Sequence, residues 1–232
     1  MCEDAVSVMA SRVIGTSEYA AAIGHSDLTS RTALWRQMTG NKTESENTPN
    51  EYRDNILDHG NEYEHRAVAA AEEVLGQMFW ATGDDQQQST VIIDDVAHRS
   101  TPDGIGIDSN LEVKCPVGDM YDTVPLRYLI QCQGQMTISQ MDPGSESKYK
   151  TTFCAWKQNG TSTGLIRCWQ ILHSPAFEKV IMDEVKVFLE LCKDRENPPP
   201  RFSKKKNPKV TIPYDQIIVA EVYPNFGLVV GP

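Results

Sequence analysis

Apolar residues recur at helical spacing in five stretches of the chain and cluster in short β-prone runs between them. The first stretch, residues 17–24, has Ser17 placed as a cap and Gly24 as a stop. Residues 30–40 repeat that grammar around Leu34, Trp35 and Met38. The polar segment NKTESENTPNEY at 41–52 predicts a loop. Ile56, Leu57, Tyr63, Ala67, Ala70, Val74 and Leu75 then place a long helix over 52–75. Gly60 interrupts it at a cost of about 1 kcal/mol relative to Ala, which predicts a close backbone approach or a break.

Strands are predicted at 78–82, 90–93, 105–107, 111–115, 149–156 and 164–172. The turn Gln158-Asn159-Gly160-Thr161 joins the last two as a hairpin. A helix over 124–141 carries Leu126, Leu129, Ile130, Cys132, Met136 and Ile138. A closing helix over 174–194 starts at a Ser174 cap, with Val180, Ile181, Val185 and Phe188 as its stripe, and three prolines at 198–200 end it. A last β-prone piece lies at 217–222. This order predicts an α/β (mixed α+β) fold, a central mixed β-sheet flanked by helices. It is expected to be one domain over 1–232, with a helical N-terminal part (10–76), a core (77–195) and a tail (196–232).

Charge narrows the function classes. The 232 residues hold 22 basic and 32 acidic side chains, a net charge of −10. That argues against coating nucleic acid by bulk attraction. An enzyme with a local basic groove, or with an acidic site neutralised by metal ions, remains. No apolar run reaches the ~18 residues of a membrane span, and the first residues lack a signal-peptide pattern. The six cysteines form no CxxC pair, which predicts buried, reduced thiols and an intracellular, reducing location.

The strongest local signal is Thr101-Pro102-Asp103-Gly104 followed by Leu111-Glu112-Val113-Lys114-Cys115-Pro116. On a strand, Glu112 and Lys114 share one face, while Leu111, Val113 and Cys115 take the other. Exposed together on an otherwise buried strand, an acid and a base need a reason. One reading is a divalent-metal site: Asp103 and Glu112 supply hard oxygens, the Val113 carbonyl adds a third, and Lys114 orients water or neutralises a phosphate. The other is a surface hairpin with a weak ion pair, under ~1 kcal/mol. The connection decides between them. A two-residue turn at Ser109-Asn110 puts Asp103 about 13 Å from the residue facing Glu112; a wider loop puts Asp103 opposite Glu112.

Six ordered blocks extend this signal: Ile14-Gly15-Thr16-Ser17 with Ala20-Ala21-Ala22-Ile23-Gly24; Leu34-Trp35 and Thr39-Gly40; Gly60 with Glu64; the two acidic blocks; and Tyr128 with Gln131, Gln133 and Gln135. Together, over about residues 10–141, they resemble the phage lambda exonuclease family, viral recombination exonucleases of the PD-(D/E)xK nuclease superfamily. The resemblance implies a restriction-endonuclease-like core in a single nuclease domain. It also implies a deoxyribonuclease that hydrolyses one strand of linear double-stranded DNA from a 5′ end, leaving 3′ tails for recombination. Asp103, Glu112 and Lys114 match the family's catalytic residues; Asp103, Glu112, Val113 and Glu64 match the metal site, which takes Mg²⁺ or Mn²⁺, two ions per site. Ser17, Arg12, Thr101 and Gln131 fall at or near its DNA- and phosphate-contacting positions.

The implied partners are double-stranded DNA ends, a homotrimeric ring and a single-strand annealing protein, with no membrane. An endonuclease or repair nuclease with the same site, and an idle DNA-end-binding protein, are the alternatives. Without the resemblance, Glu64 reads as a solvated helix residue, Ser17 also as a simple cap, and Gln133 and Gln135 as a solvated helix face. His59 and His65 are expected to be surface or supporting residues, His98, near Asp103, a generic site candidate that could approach DNA, the four tryptophans core, and Lys204–Lys206 a solvated run or a DNA-backbone contact.

Overall fold

The computed structural model describes residues 12–41, 51–143, 149–159, 163–202 and 209–230. In chain order the elements are β1 (Arg12–Gly15), a 3₁₀ turn (Thr16–Glu18), α1 (Tyr19–Ala22), α2 (Arg31–Thr39), α3 (Glu51–Leu75), β2 (Ser89–Ile93), β3 (Val96–Ser100) and β4 (Gly104–Ile105). Then follow β5 (Asn110–Lys114), α4 (Leu126–Met141), β6 (Lys150–Gln158), β7 (Thr163–Leu172), α5 (Pro175–Leu191) and β8 (Val219–Val230).

The central sheet has five strands in the order β4-β5-β6-β7-β8. All pairs are antiparallel except β5 and β6, which run parallel from Asn110↔Thr151 to Lys114↔Ala155. A parallel pair needs a crossover, and α4 supplies it. Side-chain alternation divides the sheet's two faces. Phe153, Ala155, Trp169 and Ile171 pack on the α4–α5 side with Ile130, Met136, Phe177 and Phe188. Leu111, Val113, Cys154, Trp156 and Ile166 pack against Ala67, Val68, Ala70 and Ala71 of α3. Phe153, Phe177 and Phe188 have no exposed surface, and each contributes roughly 1.5–3 kcal/mol by burial.

A second sheet, β1-β3-β2, is parallel between β1 and β3 and antiparallel between β2 and β3. The sequence reading missed β3, because VAHRS carries a histidine and an arginine where apolar residues were sought. The histidine is tied to the interior: His98 is 2% exposed and shares a 2.6 Å hydrogen bond with the Tyr19 hydroxyl. Burial pushes His98 down to about 4, so it is a neutral core histidine rather than a group facing the solvent.

Helix ends follow the sequence where a side chain can cap. The Ser30 and Ser174 hydroxyls accept from the Ala33 and Phe177 amides, and Gly40 ends α2 at φ +78°. Ser17 does not cap. The Glu18 carboxylate folds back to accept from the Gly15 amide at 2.9 Å, and Ser17 stays exposed on the 3₁₀ turn. The expected strand at 78–82 shrinks to an isolated bridge, Trp80 to Ile105, and Trp80 is 45% exposed rather than core. Trp35, Trp156 and Trp169 are buried. α3 runs unbroken through Gly60, and a Cβ built there would meet nothing within 4 Å. Neither a break nor a close approach within the chain explains that glycine. Residues 160–162 of the predicted hairpin turn and Lys204–Lys206 lie outside the described residues. No described helix is long and apolar enough to cross a membrane.

Candidate active site at the end of the parallel strand pair

The Asp103–Glu112 connection takes the wider form. Gly104 pairs with Leu111 and Ile105 with Asn110, leaving residues 106–109 as the loop, closed by Gly106 N–H donating to the Ser109 carbonyl at 2.8 Å. Asp103 therefore lies opposite Glu112. β4 is only two residues long and Pro102 has no N–H, so the strand cannot extend the ladder. The Asp103 side chain continues it instead: its Oδ2 accepts from the Val113 amide at 2.8 Å, while its own amide donates to the Leu111 carbonyl at 3.0 Å. A strand-edge requirement thus aims this carboxylate at β5.

Glu112 and Lys114 share a face, but that face is covered, which corrects the expectation of an exposed pair. α4 lies over it, and Glu112 has no exposed surface. Its two oxygens are held separately: Gln131 Nε2 donates to Oε1 at 2.7 Å and Gln135 Nε2 to Oε2 at 2.6 Å. Gln135 and Gln133 are therefore interior residues, not a solvated face. Gln133 bridges the Leu172 carbonyl and the Ser174 amide, tying α4 to the start of α5.

Lys114 closes the arrangement. Its Nζ donates to the Val113 carbonyl at 2.9 Å, contacts Glu112 Oε1, and lies 3.6 Å from Asp103 Oδ2. The Tyr128 ring centroid is 5.7 Å away. Burial raises Glu112 to about 7, with the Asp103 charge adding and Lys114 opposing. Burial works to lower Lys114, but Asp103 and Glu112 outweigh it and hold the ammonium well above its ordinary value. Three oxygens therefore converge on one positive charge.

That convergence tests the fit of a divalent metal. The three oxygens around the ammonium belong to the Asp103, Glu112 and Val113 set, the hard donors Mg²⁺ takes. Among the described residues no group of three His, Cys, Asp or Glu side chains could by itself hold an ion, so the backbone carbonyl is needed to complete this donor set. Glu64 stands at the edge. It projects from α3 into the same cleft as Lys114, its Oε1 accepting from Gln86 Nε2 at 2.9 Å. Burial, then Asp103, raise its carboxyl above the usual range.

The cleft is about 740 Å³ and is lined by Ser17, Gly60, Glu64, Lys114, Tyr128 and Gln131 among others. Ser17 and Gln131 thus line the same cleft, although the Gln131 amide group is committed to Glu112. Thr101 is half-buried and outside the cleft lining. Arg12 is also outside it, with Nη1 bonded to the Leu189 carbonyl at 3.2 Å at the end of α5. Sequence reasoning missed Gln86, Gln135 as a partner of Glu112, and Arg127. Only the i, i+4 pairing of Gln131 and Gln135 offered a signal.

The family described as YqaJ-like viral recombinase domain matches residues 8–142, more than half of the chain and the span holding the site. No curated protein matches the chain. Among solved structures, an alkaline exonuclease (LHK-Exo) from Laribacter hongkongensis is similar, with TM-score 0.54 and 17% identity over 82% of this chain and 92% of that one. The same exonuclease in complex with dAMP gives TM-score 0.56 and 18% identity over the same shares. The fold is theirs, a mixed α/β core of the PD-(D/E)xK type. With its motif blocks intact and its fold matched, the chain belongs to the YqaJ-like viral recombinase domain family, within the lambda exonuclease kinship its sequence resembles.

Proposed function

We propose that the chain is a metal-dependent DNA exonuclease that hydrolyses one strand of linear duplex DNA from its 5′ end, leaving 3′ tails for recombination. The observation that carries this reading is the convergence of Asp103 Oδ2, Glu112 Oε1 and the Val113 carbonyl on the Lys114 ammonium at the cleft. Family membership supports a nuclease. The dAMP complex of the exonuclease with this fold supports a nucleotide-sized product.

Asp103, Glu112 and the Val113 carbonyl would hold the cation, with Glu64 positioned to complete its surroundings. When bound, Mg²⁺ or Mn²⁺ supplies Lewis acidity at the phosphate and a more acidic water. The chain's own groups do the rest. Gln131 and Gln135 fix the Glu112 carboxylate in one orientation. Lys114, kept charged by its acidic neighbours, holds positive charge beside the scissile phosphate as water attacks phosphorus in line with the leaving 3′ oxygen. The attacking water gives up a proton to solvent, the bond from phosphorus to the 3′ oxygen breaks, and that oxygen takes a proton from solvent.

Digestion of end-labelled linear duplex, with and without a 5′-phosphate, in Mg²⁺ and in chelator, tests this. Mononucleotides released from 5′ ends only with metal, and intact closed circles, are the expected result. Cutting of circles as fast as of linear DNA, or undiminished activity in chelator, would overturn it.

A further inference from the structure

The cleft is short of positive charge. Glu18, Asp27, Glu64 and Asp119 line it, against Lys114 and Arg127. Lys114 is held among the oxygens of the candidate metal site, and Arg12 is outside the lining, bonded to the Leu189 carbonyl. DNA binding needs cations that meet phosphate, and within this lining Arg127 is the cation left for it.

Arg127 is built for the task. Its guanidinium lies 4.5 Å from the Tyr128 ring centroid, and Nη2 donates to the Tyr128 hydroxyl at 3.3 Å, so the plane of the fork is fixed before any ligand arrives. Its Nε is buried with no hydrogen-bond partner. What engages it is an acid: both Asp27 oxygens sit on Nη1, at 2.6 and 2.5 Å. Asp27 is 66% exposed, and ion pairs that open to water are weak. The turn carrying Asp27 is secured separately, since the Ser26 hydroxyl accepts from the Leu28 and Thr29 amides. Asp27 can therefore leave Arg127 without unravelling its loop.

We propose that Arg127 is a phosphate-binding residue of this cleft, and that Asp27 imitates the phosphate in the free chain and is displaced when DNA enters. The proposal rests on the nuclease reading and adds to it a residue that sets affinity and salt dependence.

The test is binding of a 3′-fluorescein linear duplex, 5′-phosphorylated or 5′-hydroxyl, in chelator across a salt series, followed by anisotropy. Arg127→Gln should weaken binding about tenfold and lower the slope of log K against log salt by about one. Arg127→Lys should restore the slope. Asp27→Asn, a change at an exposed position, should tighten binding several-fold. Loss confined to the phosphorylated duplex assigns the terminal phosphate; equal loss on both assigns an internal one. If wild type binds while Arg127→Gln and Asp27→Asn leave affinity and slope unchanged, this inference falls and the nuclease reading stands. If wild type neither binds nor cuts linear duplex, both fall.

Discussion

Gln135 donates a 2.6 Å hydrogen bond to Glu112 Oε2, and neither residue has any exposed surface. A buried carboxylate held this way keeps one rotamer, and its other oxygen stays turned toward Lys114 and Gln131. The Gln135 Oε1 has no partner, so the glutamine carries a desolvation cost of its own.

Replacing Gln135 by Leu removes that orphan oxygen but leaves Glu112 Oε2 unpartnered, which costs about 1–3 kcal/mol. The expected outcome is weaker Mg²⁺ binding by calorimetry and a lower kcat at saturating DNA with KM little changed. Unchanged metal affinity would show that Gln131 alone positions Glu112.

The raised Glu112 fixes a pH dependence. Its ordinary value is 4.5 and its folded value about 7. The unfolded chain therefore loses this proton first, and the group's contribution to stability is lost as pH rises from about 4.5 to about 7. Melting temperature measured from pH 5 to 8 in chelator should fall more steeply in wild type than in Glu112→Gln. Metal must displace the same proton, so Mg²⁺ affinity should drop by up to about tenfold per pH unit below 7. Calorimetry in buffers of different ionisation enthalpy reads the released proton.

Gly60 sits inside an unbroken helix on the wall of the cleft, with open space where its Cβ would be. Gly60→Ala should stabilise the fold by about 0.5–1 kcal/mol, raising Tm by a few degrees. Gly60→Phe should keep that fold and block DNA binding. Normal binding by the Phe variant would show that the glycine keeps no clearance for DNA.

Gly134 brings α4 against the turn that carries Ser17. A Cβ there would come within 2.8 Å of the Tyr19 ring and 3.3 Å of Thr16. Gly134→Ala should destabilise by roughly 1–3 kcal/mol through overpacking, read as a lower urea midpoint, despite the better helix propensity of alanine.

The elements with a strong local signature were legible in the sequence: α2 through Ser30 and Gly40, α5 through Ser174, and β5 through its alternation. Glu112 and Lys114 were legible as a pair because a strand's two-residue period needs no tertiary knowledge, while Asp103 joins them only through the wider loop at 106–109. What was lost depends on neighbours far away in the chain. β3 was hidden because His98 is polar by type yet satisfied by Tyr19, 79 residues earlier. Gln133 and Gln135 looked solvated because amides usually are, and only the placement of α4 over β5 turns them inward. Arg12 rests on the family resemblance alone, in a register off by about two residues, and its guanidinium bonds the Leu189 carbonyl outside the cleft lining.

The ammonium of Lys114 has one more consequence. A pocket of facing oxygens would ordinarily repel itself apart until an ion arrived, yet here a tethered cation already fills that role. The polypeptide can thus mature where free divalent ions are scarce. Any ion entering the proposed site would compete with a resident that never diffuses away, so its apparent affinity would be lower than for an empty ring of oxygens.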